Sequence, residues 1–136
     1  MASYRLWRNR SEKIVILDSS AIMMLFEFSI DLEDELTRLL GKHHIVVPRP
    51  VIEELEFLSE HGKDKTRYKA KSSLKLIKKY DVANMNEDKK GDEAVFHLAQ
   101  QLPGIVVTND RELKRRLKGA SLHIIYLRGK KRLVFE

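Results

Sequence analysis

The sequence has no cysteine, only three prolines and six glycines, and no long apolar run. Without cysteine there are no disulfides, no thiolate catalysis and no cysteine-ligated zinc or iron–sulfur centre. No stretch approaches the roughly 20 apolar residues of a membrane helix. The basic start, MASYRLWRNRSEK, is not followed by the apolar segment of a secretory signal. We therefore expect a cytoplasmic protein.

Charged side chains make up 34% of the 136 residues, and hydrophobic ones make up 43%. This length and composition predict a basic N-terminal segment at 1–12 followed by one domain with one core at 13–136. The net charge is +6, and the pI is about 9.5. A basic surface attracts polyanions such as nucleic acids. A lysine- and glutamate-rich solvated surface of the hyperthermophile kind would have the same composition.

The hydrophobic pattern alternates between strands and helices. Strands are predicted at 13–17, 44–48, 105–108 and 122–127, with an edge strand at 132–136. Helices are predicted at 20–30, 32–40, 50–62, 63–81, 91–102 and 110–119. The first three strands are continuous apolar runs, which are typical of buried parallel strands. We therefore predict an α/β fold, with a mostly parallel sheet between helices on both faces.

Two aspartates follow predicted strands. Asp18 ends the stretch IVILDSS, and Asp110 follows the strand at 105–108. Because sites in parallel sheets form at the carboxyl ends of the strands, these two residues are expected to meet. Asp18 could instead serve only as a helix cap. Asn109 and Glu112 have capping-box spacing, which predicts Asn109 as the cap and Asp110 in the first helical turn.

Two further carboxylates lie at the edges of apolar helix faces. In PVIEELEFL, Glu54 falls beside the buried arc, where an unpaired charge is costly. Its partner could be a metal ion or a nearby Lys or Arg. In GDEAVFHLA, Asp92 lies at the edge of the core face. The helix dipole alone would also favour an anion in that first turn.

Four converging carboxylates would repel one another in a cleft. One or two divalent cations would relieve this repulsion, and hard oxygen ligands favour Mg²⁺ or Mn²⁺. Such ions commonly serve phosphoryl chemistry. An acidic metal site on a basic protein is therefore typical of a nuclease.

The chain resembles the PIN-domain nucleases. The stretches VILDSSAIMML, VPRPVIEELEFL, GDEAVFHLA and VVTNDRELKRRL are similar, in order, to the four motif regions of that family. The resemblance covers residue 13 to the C-terminus. It implies a Rossmann-like α/β/α fold and an Mg²⁺- or Mn²⁺-dependent endoribonuclease that leaves 5′-phosphate and 3′-hydroxyl ends. Its catalytic and metal-binding residues would be Asp18, Glu54, Asp92 and Asp110, with Glu54 acting directly or through a water. Its supporting polar residues would be Ser19 or Ser20 and Thr108 or Asn109.

Two groups within that family are similar to the chain. The basic helix TNDRELKRRLKG, which leads into LHIIYLRGKKRLVFE, looks most like the nucleases of small-subunit ribosomal RNA processing. VapC-type toxins of toxin–antitoxin pairs are the alternative, and they have this size. The resemblance implies RNA as substrate, a possible homodimer, and an antitoxin or a ribosome-assembly factor as partner.

Candidate RNA contacts come from three basic runs. They are Arg67, Lys69, Arg111, Lys114, Arg115 and Lys130. A charge run is usually a solvated face, and we expect this of at least half of the basic residues. Tyr68 could stack on a base or pack on the core. His97 is interpreted as a surface residue.

Other classes of protein remain open. A metal-free PIN-like module could bind RNA or a partner without cutting, although the presence of all four acidic residues argues against it. A haloacid-dehalogenase phosphatase would require an aspartate at position 20, where Ser20 stands. The acidic pair that precedes the phosphorylated strand of response regulators is not found.

Overall fold

The computed structural model describes residues 13–85 and 90–136, and the predicted basic segment at 1–12 lies outside them. In the described part of the chain, six strands form one sheet in the order β3-β2-β1-β4-β5-β6. They are β1 (Lys13–Leu17), β2 (His43–Pro48), β3 (Asp81–Ala83), β4 (Ile105–Val107), β5 (Ile124–Arg128) and β6 (Arg132–Phe135).

Helices connect the parallel strands. They are α1 (Ser19–Glu27), α2 (Leu32–Leu40), α3 (Arg49–His61), α4 (Asp64–Leu76), α5 (Gly91–Gln101) and α6 (Arg111–Gly119), with a 3₁₀ turn at Ile77–Lys79. Gly41 ends α2 as predicted, and Pro50 lies in the first turn of α3. None of the described helices combines the length and apolarity needed to cross a bilayer.

The sheet confirms the predicted fold class, a mostly parallel α/β/α sandwich. Strands β1, β2, β3, β4 and β5 run parallel, and only β6 pairs antiparallel, with β5 at the sheet edge. β1 lies at the centre, and its Val15, Ile16 and Leu17 are fully buried. The continuous apolar runs of the sequence thus correspond to strands covered on both faces.

Strand β3 was missed by the sequence analysis. The helix predicted over 63–81 ends at Leu76, and after the 3₁₀ turn the chain becomes extended at Asp81. β3 exists because it pairs with β2, with Val46 opposite Asp81 and Pro48 opposite Ala83. β3 is only three residues long and its first residue is exposed, so its sequence shows no strand pattern.

Candidate active site

The carboxyl ends of β1 and β4 lie side by side, because Leu17 is paired with Val107. The next residues along the two strands are Asp18 and Thr108, both buried. This juxtaposition confirms that the two predicted strand ends meet. Asp18 and Asp110 therefore come from distant parts of the chain to one edge of the sheet.

Asp18 is both a helix cap and a buried carboxylate. It is the N-cap of α1, where its side chain accepts a hydrogen bond of 2.8 Å from the backbone N–H of Ala21. The Ser20 hydroxyl donates to both carboxylate oxygens at 3.2 Å. The Thr108 hydroxyl donates to Oδ2. Only 4% of Asp18 is exposed, so this strand end holds a carboxylate that is almost fully desolvated.

The pKa of the Asp18 carboxyl is raised from 3.8 to about 6, mainly because the group is buried and to a smaller extent because of the nearby charge of Asp92. The hydrogen bonds from Thr108, Ala21 and Ser20 oppose this increase because they favour the ionised form. A carboxyl group held in this way is costly to ionise without a neighbouring cation.

Asp92 lies in the first turn of α5 and is half-buried. Its carboxyl pKa is raised by burial, by the negative charge of Asp110 and by that of Glu54. Arg116 acts in the opposite direction. The same Arg116 forms an ion pair with Glu93 at 2.7 Å and lies over the Phe96 ring at 4.4 Å. The charge of Asp92 therefore interacts with the carboxylates of both Asp110 and Glu54.

Asp110 and Asn109 do not have the roles predicted from their spacing. Asp110 is the N-cap of α6 and accepts a 2.8 Å hydrogen bond from the backbone N–H of Leu113, so the prediction of Asn109 as the cap was wrong. The Asn109 amide instead donates to the carbonyl of Leu127 at 2.9 Å and accepts from its N–H at 2.7 Å. Asn109 thus attaches the start of α6 to β5.

Glu54 is exposed on α3, so its predicted position at a buried edge was wrong. Within residues 13–85 and 90–136 it forms no ion pair with a Lys or Arg, which was the alternative to a metal partner. It lies close to the start of α5, since a Cβ added to Gly91 would be 4.0 Å from its Oε1. Its charge acts on Asp92 across this short gap.

The four carboxylates have the chemistry of a hard-cation site, but they are not drawn together around one point. In the described part of the chain, no group of three or more His, Asp or Glu side chains is arranged to hold a metal ion. The donor set fits such an ion because it is all oxygen and because Asp18 and Asp92 have raised pKa values. Binding would require the side chains to approach one another.

Most of the predicted RNA-contacting cations are paired with acidic residues. Arg67 pairs with Asp64, Lys69 with Glu27, Lys114 with Glu136, and Arg115 with Glu112. Lys130 lies over the Phe28 ring at 5.4 Å. Arg111 begins α6, next to Asp110. These positions leave the predicted RNA contacts untested.

The exposure of two further side chains bears on what the sequence predicts for them. Tyr68 is 65% exposed, with its ring 6.1 Å from that of Phe26, so it does not pack into the core. His97 is half-buried rather than a surface residue. The sequence also gave no indication of the influence of Arg116 on Asp92, because that effect arises between two helices.

Comparison with known proteins identifies the class that this fold and site define. The family described as "PIN like domain" matches residues 15–130. The chain belongs to this family, that of the PIN-domain nucleases.

Two relatives and one solved structure support the assignment of the chain to this family. The chain is 31% identical to Ribonuclease VapC4 of Methanocaldococcus jannaschii over 121 residues, which are 86% of this chain and 92% of that protein. It is 28% identical to Ribonuclease VapC9 of Archaeoglobus fulgidus over 129 residues, which are 95% of this chain and 93% of that protein. The PIN domain endonuclease Utp24 has a similar fold, with a TM-score of 0.73, 21% identity and 90% coverage of each chain.

Proposed function

We propose that the protein is a divalent-metal-dependent endoribonuclease whose active site comprises Asp18, Glu54, Asp92 and Asp110. The observation that carries this proposal is the mutual effect of the carboxylates. Asp110 and Glu54 both raise the pKa of Asp92, and Asp92 raises that of Asp18. Membership of the PIN family and the ribonuclease names of two relatives support the assignment.

Asp18, Asp92 and Asp110 are the residues that would hold a metal ion, and Glu54 would contribute directly or through a water. The ion would be Mg²⁺ or Mn²⁺, since all of the donors are carboxylate oxygens. When bound, it would supply Lewis-acid activation of water and of the scissile phosphate. Ser20 and Thr108 orient the Asp18 carboxylate through their hydroxyl groups. Ser19, the first residue of α1, is buried next to Asp18.

The proposed reaction is hydrolysis of an RNA phosphodiester. The oxygen of a water molecule forms a bond to phosphorus, the bond from phosphorus to the 3′ oxygen breaks, and that oxygen takes up a proton. The products carry a 5′-phosphate and a 3′-hydroxyl. Arg111 is the best placed of the candidate cations for a flanking phosphate, because it begins the helix that Asp110 caps.

Two biological roles are compatible with this chemistry. Ribosomal RNA processing is the role that the sequence motifs favour, with a ribosome-assembly factor as partner. A toxin ribonuclease controlled by an antitoxin is favoured by the VapC names of two relatives that span most of the chain. The likeness to Utp24 is a likeness of fold and does not favour either role. A homodimer, a cytoplasmic location and a single domain at 13–136 are also proposals.

Metal dependence is tested by incubating a labelled structured RNA with the protein in Mn²⁺, in Mg²⁺ and in EDTA, and by analysing the ends of the products. We expect cutting in at least one of the metals, none in EDTA, and 5′-phosphate ends. RNA binding without cutting in any metal would contradict the proposal and favour a non-catalytic PIN module. Cleavage that continues in EDTA would contradict the proposed dependence on a divalent metal ion.

A further inference from the structure

An exposed phenylalanine lies next to the acidic site. Phe57 of α3 is 60% exposed, and one side of its ring is stacked on His61 at 4.5 Å between centroids and an angle of 24°. Phe57 follows Glu54 by three positions, so the two residues share a face of the helix. More than half of the Phe57 side chain is therefore available to contact a ligand.

A groove of about 550 Å³ lies beside this ring, and Glu54 also lines it. Its volume lies within the roughly 300–1,000 Å³ of ligand clefts. The described residues that line it are Pro50, Glu53, Glu54, Phe57, Lys90 and Gly91. The groove adjoins the proposed active site, because Glu54 lines it and because Gly91, which also lines it, directly precedes Asp92.

We propose that this groove binds an unpaired nucleobase of the RNA substrate, next to the scissile phosphate, with the base stacked on Phe57. Pro50 and Phe57 offer flat apolar contacts, Lys90 offers a cation for the backbone, and Glu53 can accept hydrogen bonds from the amino groups of bases. The flat ring of a nucleotide matches Pro50 and Phe57, and its anionic backbone matches Lys90. The inference rests on the proposed function in taking RNA as the ligand.

The carboxylates of the groove determine which part of the nucleotide it accepts. Glu53 and Glu54 would repel a phosphate that lay directly on Phe57. The base therefore occupies the groove, while its phosphates lie on either side of it. Because stacking requires an unpaired base, the substrate is single-stranded at this position.

The test is a binding titration that needs no cleavage. A short, fluorescently labelled single-stranded RNA and an abasic oligomer with the same ribose–phosphate backbone are titrated with wild type and Phe57→Ala in Ca²⁺. We expect Phe57→Ala to weaken binding of the RNA by roughly 5- to 100-fold, as loss of one stacked base would, and to leave binding of the abasic oligomer unchanged. Phe57→Trp should restore RNA binding.

Phe135→Ala is the matched control, because Phe135 is also an exposed phenylalanine, at 47%, but lies on the edge strand β6. Equal weakening for RNA and abasic oligomer, no weakening of either, or equal effects of both variants would overturn the proposal. So would a dimer that Phe57→Ala converts to monomer in sedimentation, since a second copy would then cover the ring. Base-dependent binding through Phe57 in a protein that cuts no RNA would support the groove and reject the nuclease.

Discussion

Thr108 connects two of the acidic residues through one hydroxyl group. It donates to the Asp18 carboxylate and accepts a 3.0 Å hydrogen bond from the backbone N–H of Asp110. Since Thr108 is fully buried, water does not compete for these bonds. The side chain that follows β4 thus fixes both the orientation of Asp18 and the start of α6.

At the residue scale, the raised pKa of Asp18 predicts a pH dependence of stability. Its folded-state pKa of about 6 exceeds the ordinary value of 3.8, so the native protein favours the protonated form. That stabilisation is present below the ordinary pKa and is lost as the pH rises through about 6. Asparagine does not ionise, so the stability of Asp18→Asn relative to wild type should increase as the pH rises from 3.8 to about 6. The increase should be about 3 kcal/mol at most. Urea denaturation in EDTA at several pH values measures this difference.

Asp31→Asn is the control for the change in Asp18, because Asp31 is the exposed N-cap of α2 and asparagine caps about as well as aspartate. If the two variants differed from wild type by the same amount at every pH, the effect would not arise from the burial of Asp18.

At the element scale, the sequence predicted most helices and strands because their signals are local. Apolar runs defined β1, β2 and β4, and Gly41 defined the end of α2. β3 could not be predicted in the same way, because its three residues are extended only through pairing with β2. The choice of Asp110 over Asn109 as the cap of α6 is also non-local, since it depends on the contact of Asn109 with Leu127.

The turn between α3 and α4 gives a prediction at the same scale. A Cβ added to Gly62 would lie 2.6 Å from the backbone oxygen of Leu58, which cannot rotate away. Gly62→Ala should therefore lower the free energy of unfolding by about 1–3 kcal/mol. Gly119→Ala, where a Cβ would meet nothing within 4 Å, should leave it nearly unchanged. Equal urea-denaturation midpoints for the two variants would contradict the close approach of position 62 to the backbone oxygen of Leu58.

Helix α4 contains a buried hydroxyl group. Ser73 is fully buried, and its Oγ has no hydrogen-bond partner within the described ranges. Removing an unsatisfied polar group and improving helix propensity should both stabilise the protein. We expect Ser73→Ala to raise the free energy of unfolding by about 1 kcal/mol. A loss of stability on urea denaturation would mean that the hydroxyl group has a partner.

At the scale of the whole molecule, the sequence predicted that the ends of β1 and β4 meet, but not how the four candidate carboxylates are arranged. Strand ends and helix starts brought Asp18, Asp92 and Asp110 to one region, as parallel topology requires. The exposure of Glu54 could not be predicted from a helical wheel. A wheel gives the direction of a side chain around the helix axis, but not which other parts of the protein cover that side chain. The groove beside Phe57 depends on where α5 begins relative to α3.

A cation that binds the acidic site should stabilise the folded protein. Binding to the native state alone adds about 2.7 kcal/mol at one hundred times the dissociation constant, so Mn²⁺ should raise the melting temperature by several degrees. Asp92→Asn should reduce this increase, since it removes a carboxylate coupled to two others. Thermal unfolding monitored by circular dichroism tests this without substrate. An equal increase in wild type and variant would place the bound ion elsewhere.

The most direct test of the central claim is the initial rate of RNA cleavage in Mn²⁺ by wild type, Asp92→Asn and Glu93→Gln. The two variants alter adjacent residues in the first turn of α5; Asp92 interacts with Asp110 and Glu54 in the proposed site, whereas Glu93 forms an ion pair with Arg116. We predict a rate lower by roughly 100-fold or more for Asp92→Asn, and a rate close to wild type for Glu93→Gln. Equal rates for all three proteins would contradict an active site built on the four carboxylates.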